Sequence, residues 1–255
     1  MINISELYKK GSDRYYTRLN KARNSKAPTS WHLSGFGTCM ISRYLKRKGL
    51  ISPDQPIDLR LRGVFHLGNI LEELFVNCLT EESKEGEYEI KTQGRVEDKL
   101  LGISGYYDAK LINAKTKEEH IVECKSKQSK AFWYMTKQNQ GANHHHKLQL
   151  WGYLFLDKVK EGSIFYISKD DLCTLEYGVF RNDLNLKTEF MNELKVLNYC
   201  LENDMVPPLP VVGSWQEKYC DCHDLCKEFH EKEPSLFEAD VKEILKDNEY
   251  LNYEV

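Results

Sequence analysis

The chain has 255 residues, 41% of them hydrophobic and 29% charged, with a net charge of −3 and a pI near 6.3. That length suits one large α/β domain with additions or two small domains, and the composition excludes a largely disordered chain. No run reaches the roughly 18 apolar residues that a membrane span needs, and the stretch from Met1 to Arg23 is too polar for a secretory signal, so the expected compartment is the cytoplasm, with no membrane partner.

Residues from about Ile4 to Arg23 mix charged and apolar side chains at helical spacing, and Asn24 to Ser30 reads as a polar loop. A second helix is predicted from about Thr38 to Lys48, stopped by Gly49 with Pro53 and Pro56 preventing a restart. A third begins near Arg62, where Leu67, Leu71, Leu74 and Cys78 form one apolar stripe. His66 and Glu73, seven residues apart, lie nearly on one line at its edge, and Glu72 points elsewhere. Three strands follow, about Tyr88–Val96, Leu101–Ile112 and His120–Ser126, then a helix over Lys130–Gln140 and another to about Lys158 with a core stripe of Leu148, Trp151, Gly152 and Phe155. Gln149 and Tyr153, four apart, share a neighbouring strip of that helix. Strands over Ser163–Ser168 and Cys173–Phe180, a helix from Leu184 to Asn203, a linker at Pro207, Pro208 and Pro210, and a terminal helix complete a mixed α/β arrangement with helices on its faces.

Asp108 and Glu123 stand equally far from the polar segment Ala114-Lys115-Thr116-Lys117. In a simple hairpin they face each other, with Lys125 one step along the same face and Cys124 on the other. Opposed carboxylates destabilise a strand pair unless a cation lies between them. Two carboxylates can hold Mg²⁺ or Mn²⁺, and an adjacent lysine can orient or deprotonate an attacking water and stabilise negative charge. These are the parts of metal-assisted phosphodiester hydrolysis, although a Glu-x-Lys tripeptide alone is commonplace on solvated strand edges. Between Ile121 and Leu150 five lysines meet one acid, interleaved with Phe132, Trp133 and Tyr134 and followed by Trp151. That pattern suits a polyanion with stackable bases, or equally a solvated helix face over a core aromatic cluster.

The order of His66 on a helix, Gly105-Tyr-Tyr-Asp108, Ile121-Val-Glu123-Cys-Lys125 and Gln149-x-x-x-Tyr153 resembles the PD-(D/E)XK nuclease superfamily. More narrowly it resembles the RecB/AddB-type branch, which includes CRISPR-associated and phage-encoded exonucleases. Tyr107 stands where the superfamily name has proline, at a position that varies widely. The resemblance implies a restriction-endonuclease-like mixed sheet flanked by helices, within one nuclease domain over residues 1–255 whose core is about 60–182. It implies His66, Asp108, Glu123 and the main-chain carbonyl of Cys124 as ligands of Mg²⁺ or Mn²⁺, with Lys125 as the catalytic lysine. Gln149 and Tyr153, with Glu73, would support the site and meet DNA. The implied activity is hydrolysis of DNA, as an exonuclease on single-stranded ends, in repair, recombination or CRISPR or phage DNA processing, beside helicase, recombination or adaptation proteins. The alternatives are a DNA-binding or assembly subunit that does not cut, and a nuclease directed at RNA.

Three of the eight cysteines crowd into Cys220-Asp-Cys222-His-Asp-Leu-Cys226, which in a reducing compartment favours metal or cluster ligation over disulfides. The resemblance implies a 4Fe-4S cluster on Cys39, Cys220, Cys222 and Cys226, joining extensions at about 31–50 and 205–230 ahead of a helical tail at about 231–255. Zinc on the same four thiolates is the rival. Cys78, Cys124, Cys173 and Cys200 are expected in the core.

Overall fold

The structure, a computed structural model, describes residues 3–21, 26–52, 59–138, 140–211, 214, 217, 220 and 222–246. The expectations at Arg23, Asn24, Pro53 and Pro56, and for the tail beyond Lys246, fall outside these residues. In chain order the elements are α1 (Ile4–Lys21), β1 (Trp31–His32), α2 (Met40–Arg47), α3 (Leu59–Glu82), β2 (Tyr88–Asp98), β3 (Ile103–Asn113), β4 (Glu119–Lys127), α4 (Ser129–Lys137), α5 (His144–Asp157), β5 (Glu161–Ser168), β6 (Thr174–Phe180), α6 (Leu184–Asn203), α7 (His223–Lys232) and α8 (Glu238–Lys246). The closing helix expected from sequence is thus two helices, and the two-residue β1 is too short to leave a periodic signal.

One mixed sheet of six strands organises the molecule. β3 is its hub: β2 pairs antiparallel along one edge, while β1 (parallel) and β4 (antiparallel) share the other. β5 adds parallel to β4, and β6 closes the sheet antiparallel to β5. The β3–β4 turn sets the register. Asn113 Oδ1 accepts the amides of Lys115 and Thr116, both at 2.9 Å, and Lys117 takes a left-handed φ of 62°, so Ala109 pairs with Val122 and Ile112 with Glu119. This is the symmetric hairpin expected from the sequence.

Helices cover both faces. The larger core gathers α2, α5 and α6 with Ile103, Tyr107, Ile121, Ile164 and Tyr166 of the sheet. α5 is buried through Leu148–Leu154, and a Cβ on Gly152 would stand 2.7 Å from a Leu33 methyl and 2.9 Å from the Phe190 ring, so only glycine lets α5 approach this closely. α6 starts at Asp183, whose carboxylate caps the amides of Asn185 and Leu186. The smaller core lies under α3 and contains Leu71, Phe75, Ala109, Val122, Cys124 and Ile167.

β3 changes sides within its own length. Ile103 and Tyr107 belong to the larger core, whereas Ala109, of the same parity, lies in the smaller one. Lys110 then faces back toward α5, 2.8 Å from Asp157, with its ammonium 5.9 Å from the centre of the Tyr107 ring. A regular strand keeps residues two apart on one face, so the backbone turns over at Asp108. The neighbouring strand matches it. Gln93 takes a positive φ of 51°, and the β2–β3 ladder omits the Gln93–Asp108 step. Gly94 leaves room for the Tyr107 ring, which a Cβ there would meet at 2.0 Å.

Candidate active site

The β3–β4 ladder ends at Ala109–Val122, one step before the two carboxylates would pair. Instead of facing Glu123 as a ladder partner, Asp108 turns its Oδ2 onto the backbone amide of Cys124 at 2.7 Å. The strands therefore part where the acids lie. Asp108 is 7% exposed and Glu123 2%.

Each oxygen of Glu123 has a different fate. Oε1 accepts the Lys125 ammonium at 2.5 Å and the Gln149 amide at 2.6 Å, and the same Gln149 Nε2 also donates to the Tyr153 hydroxyl at 2.9 Å. Oε2 is buried and has no hydrogen-bond partner among the described residues. A buried carboxylate oxygen without a donor is costly, and a hard cation would satisfy it. Burial, with Glu123 close by, pushes the Asp108 carboxyl up to about 8, against the opposing pull of Lys125. Burial also raises Glu123. Lys125 is disfavoured by burial, yet Glu123 and Asp108 outweigh this and hold its pKa above the usual lysine range. A divalent ion would relieve the two acids, so the donor set fits Mg²⁺ or Mn²⁺.

α3 presents a different face from the one its stripe suggested. Leu71 and Phe75 are buried, Leu67 and Leu74 are 39% and 44% exposed, and Cys78 is exposed. The helix is apolar nearly all round, and β4 selects the side carrying Gly68, which lies against Ser126. This places Glu72 toward the site, where its charge acts on Asp108, Glu123 and Lys125, while its Oε1 accepts from Gln93 at 2.9 Å. Glu73, expected in a supporting role, is exposed on another side, so Glu72 is the α3 acid at the site. His66 lies roughly 120° round the helix from Glu72, with its ring against Tyr15 and Tyr16 of α1 at 6.1 and 5.9 Å. Among the described residues, only Cys39, Cys220 and Cys226 form a set of three His, Cys, Asp or Glu ligand atoms within 4.8 Å, so His66 is not gathered with Asp108 and Glu123. Glu72 was missed because adjacent glutamates differ only in helical phase.

The aromatic residues around β4 divide between core and surface. Phe132 and Trp151 are buried, whereas Trp133 is 51% exposed on α4, the helix that follows the Lys125 strand. The tandem histidines are held locally: His144 meets Glu189 at 2.7 Å, and His146 Nδ1 meets the Tyr166 hydroxyl at 2.8 Å.

Of the four cysteines expected to form one centre, three converge. The Sγ atoms of Cys39, Cys220 and Cys226 lie within 4.8 Å of one another, with 3.8 Å between Cys220 and Cys226. The Cys226 thiol draws the Cys39 pKa down to about 6, against the opposing effect of burial. Such a set can bind a metal. Cys222 is buried at the start of α7, where its sulfur takes the Ser42 hydroxyl at 3.8 Å. Cys124 and Cys200 are buried as expected, but Cys173, like Cys78, is exposed.

No protein-family model and no curated protein matches the chain. Among solved structures, it is similar to the crystal structure of SSO0001, at 19% identity over 88% of this chain and 96% of the other, with a TM-score of 0.50. It is also similar to the exonuclease LHK-Exo from Laribacter hongkongensis, solved in complex with dAMP, at 12% identity over 70% of this chain and 90% of the other, with a TM-score of 0.50. These likenesses show a shared fold, a mixed sheet flanked by helices. Among the described residues no helix is long and apolar enough to cross a membrane.

Proposed function

We propose that the chain is a divalent-metal-dependent deoxyribonuclease, an exonuclease acting on single-stranded DNA ends in repair, recombination or CRISPR or phage DNA processing, in the cytoplasm. The observation that carries this reading is the buried Oε2 of Glu123 beside Asp108, which has no hydrogen-bond partner among the described residues, with Lys125 and Gln149 on the other oxygen. Asp108 and Glu123 would hold Mg²⁺ or Mn²⁺, with the Cys124 carbonyl as a further oxygen ligand and Glu72 adding negative charge. His66 would join only after leaving its place against Tyr15 and Tyr16. The ion, when bound, supplies Lewis-acid activation of water and phosphate.

The residues of the chain do the rest. Gln149 holds Glu123 in one rotamer while leaving Oε2 open. Lys125, kept protonated by the two carboxylates, orients the attacking water and stabilises the charge that builds on the phosphoryl oxygens. Trp133 offers an exposed ring on which a base of an unpaired strand can stack. The fold shared with LHK-Exo supports the exonuclease reading by analogy. The deciding experiment incubates matched single- and double-stranded DNA and RNA with the protein in Mg²⁺, Mn²⁺ or EDTA. Metal-dependent loss of nucleotides from single-stranded DNA ends, abolished by Asp108→Ala and by Lys125→Ala, is expected. No cleavage of any DNA, or cleavage unaffected by both substitutions, would overturn the reading.

A further inference from the structure

The polar row of β4 continues past the two acids. Glu123, Lys125 and Lys127 share one face of the strand, but the two lysines stand in opposite surroundings. Lys125 is neutralised by Glu123. Lys127 is half-buried, and among the described residues its ammonium meets no carboxylate. Its neighbours are the Tyr166 ring, centred 5.8 Å from Nζ, and the like charge of Lys125. Opposite this row, α5 carries His145 one turn ahead of Gln149, on the strip that holds Glu123 and continues to Tyr153. Burial, with the charges of Lys127 and Lys125, lowers the His145 pKa to about 4. Gly37 seats that turn of α5, since a Cβ there would stand 3.0 Å from the His145 Cα.

A cation held partly out of water without a counter-ion is costly, and an anion would relieve it. The rise of β4 says which anion. Lys127 lies two residues, or about 6.6 Å, beyond Lys125, comparable with the step between successive phosphates of an extended strand. With Lys125 at the scissile phosphate, Lys127 falls at the next one. We propose that Lys127 and His145 form a phosphate subsite that holds the linkage adjacent to the one hydrolysed, so that the strand runs along β4 toward α4. The identity of the anion rests on the nuclease reading. Lys127 supplies the charge, and the neutral His145 ring donates an N–H to a phosphate oxygen. Such contacts position a strand without reading its sequence.

The test separates binding from cleavage. Anisotropy of a labelled single-stranded DNA in EDTA, from about 50 to 200 mM salt, counts phosphate contacts. With one contact gone, the affinity of Lys127→Gln should fall about threefold less than that of wild type over this range, and Lys127→Arg should keep the wild-type slope. The second arm, in Mn²⁺, uses strands with one neutral methylphosphonate next to the cleaved bond. Wild type should lose about 10–100-fold in kcat/KM on the modified strand. Lys127→Gln should show a similar loss on ordinary DNA and little more on the modified strand, because both changes remove one contact. His145→Ala should share in that coupling, and His145→Gln, which keeps an N–H, should recover part of the loss. A wild-type salt slope in Lys127→Gln, or a methylphosphonate penalty undiminished in it, would overturn the proposal and leave the lysine as a neighbour of Tyr166. A wild-type protein indifferent to the methylphosphonate would overturn it as well, whether or not the variants fold. If no DNA is cleaved the nuclease reading falls, and the salt slopes still decide the phosphate contact.

Discussion

The Cys124 amide donates to Asp108 Oδ2 at 2.7 Å, a side-chain bond formed where the β3–β4 ladder has ended. That bond fixes one oxygen of Asp108 in the gap between the strands, and without a cation the buried group resists ionisation. Its pKa rises from 3.8 to about 8, so the folded protein takes up a proton at neutral pH. The contribution to stability is complete below about pH 4 and is lost as pH rises through about 8. In EDTA the melting temperature should therefore fall between pH 5 and 8.5, and Mn²⁺ should remove most of that fall. Asp108→Asn should flatten the EDTA profile, gain a few kcal/mol at the alkaline end and abolish cleavage. A wild-type profile in EDTA as flat as that of the variant would refute the assignment.

Lys125 donates to the Glu123 oxygen that also takes Gln149. Lys125→Met should lower the cleavage rate by about 10²–10³-fold. Metal affinity, followed by calorimetry, should hold or rise, because a competing cation has gone. A loss of metal binding equal to the loss of rate would show that the lysine is structural.

Gln149→Leu removes the donor that holds the Glu123 rotamer. Metal affinity or activity should fall by about 10–100-fold, with activity partly restored at high Mn²⁺. Tyr153→Phe, which removes only an acceptor from Gln149, should cost much less. Similar losses in the two variants would point instead to general damage to α5.

The α3 assignment is checked by a pair of variants. Glu72→Gln should change metal affinity and shift the pH profile of cleavage, whereas Glu73→Gln should leave both unaltered. The opposite ranking would restore the helical phase expected from the sequence alone.

Trp133→Ala should weaken binding of single-stranded DNA by about 1–3 kcal/mol, with the salt dependence preserved because no charge is removed. Fluorescence anisotropy in EDTA measures this without turnover. Unchanged affinity would place the strand elsewhere on the surface.

The parts of the site that local rules control could be read from the sequence. The polar turn fixes the β3–β4 register, and alternation then gives Glu123 and Lys125 a common face. Spacing put Gln149 and Tyr153 on one strip of a single helix, and only the resemblance placed that strip at the site. The parting of the strands at Asp108 was not legible, because it depends on the left-handed Gln93 of a neighbouring strand and on an amide that leaves its ladder. The phase of α3 was hidden for another reason. Leu61, Phe65, Leu67, Ile70, Leu71, Leu74 and Phe75 surround the helix, and only the sheet beneath it selects a side. That Cys222 lies apart from the three converging cysteines, with its sulfur on the Ser42 hydroxyl, was not legible either, because Ser42 is distant in sequence.

The reversal of β3 at Asp108 ties the two helical layers to a single carboxylate. The strand ahead of it is seated among α2, α5 and α6, and Ala109 just beyond it under α3. A sideways shift of either layer would pull on the same peptide from opposite directions, so Asp108 acts as the pivot of a lever with one arm in each core. Asp108 therefore takes its position from both layers at once, and a change in the packing of either is felt at its carboxylate.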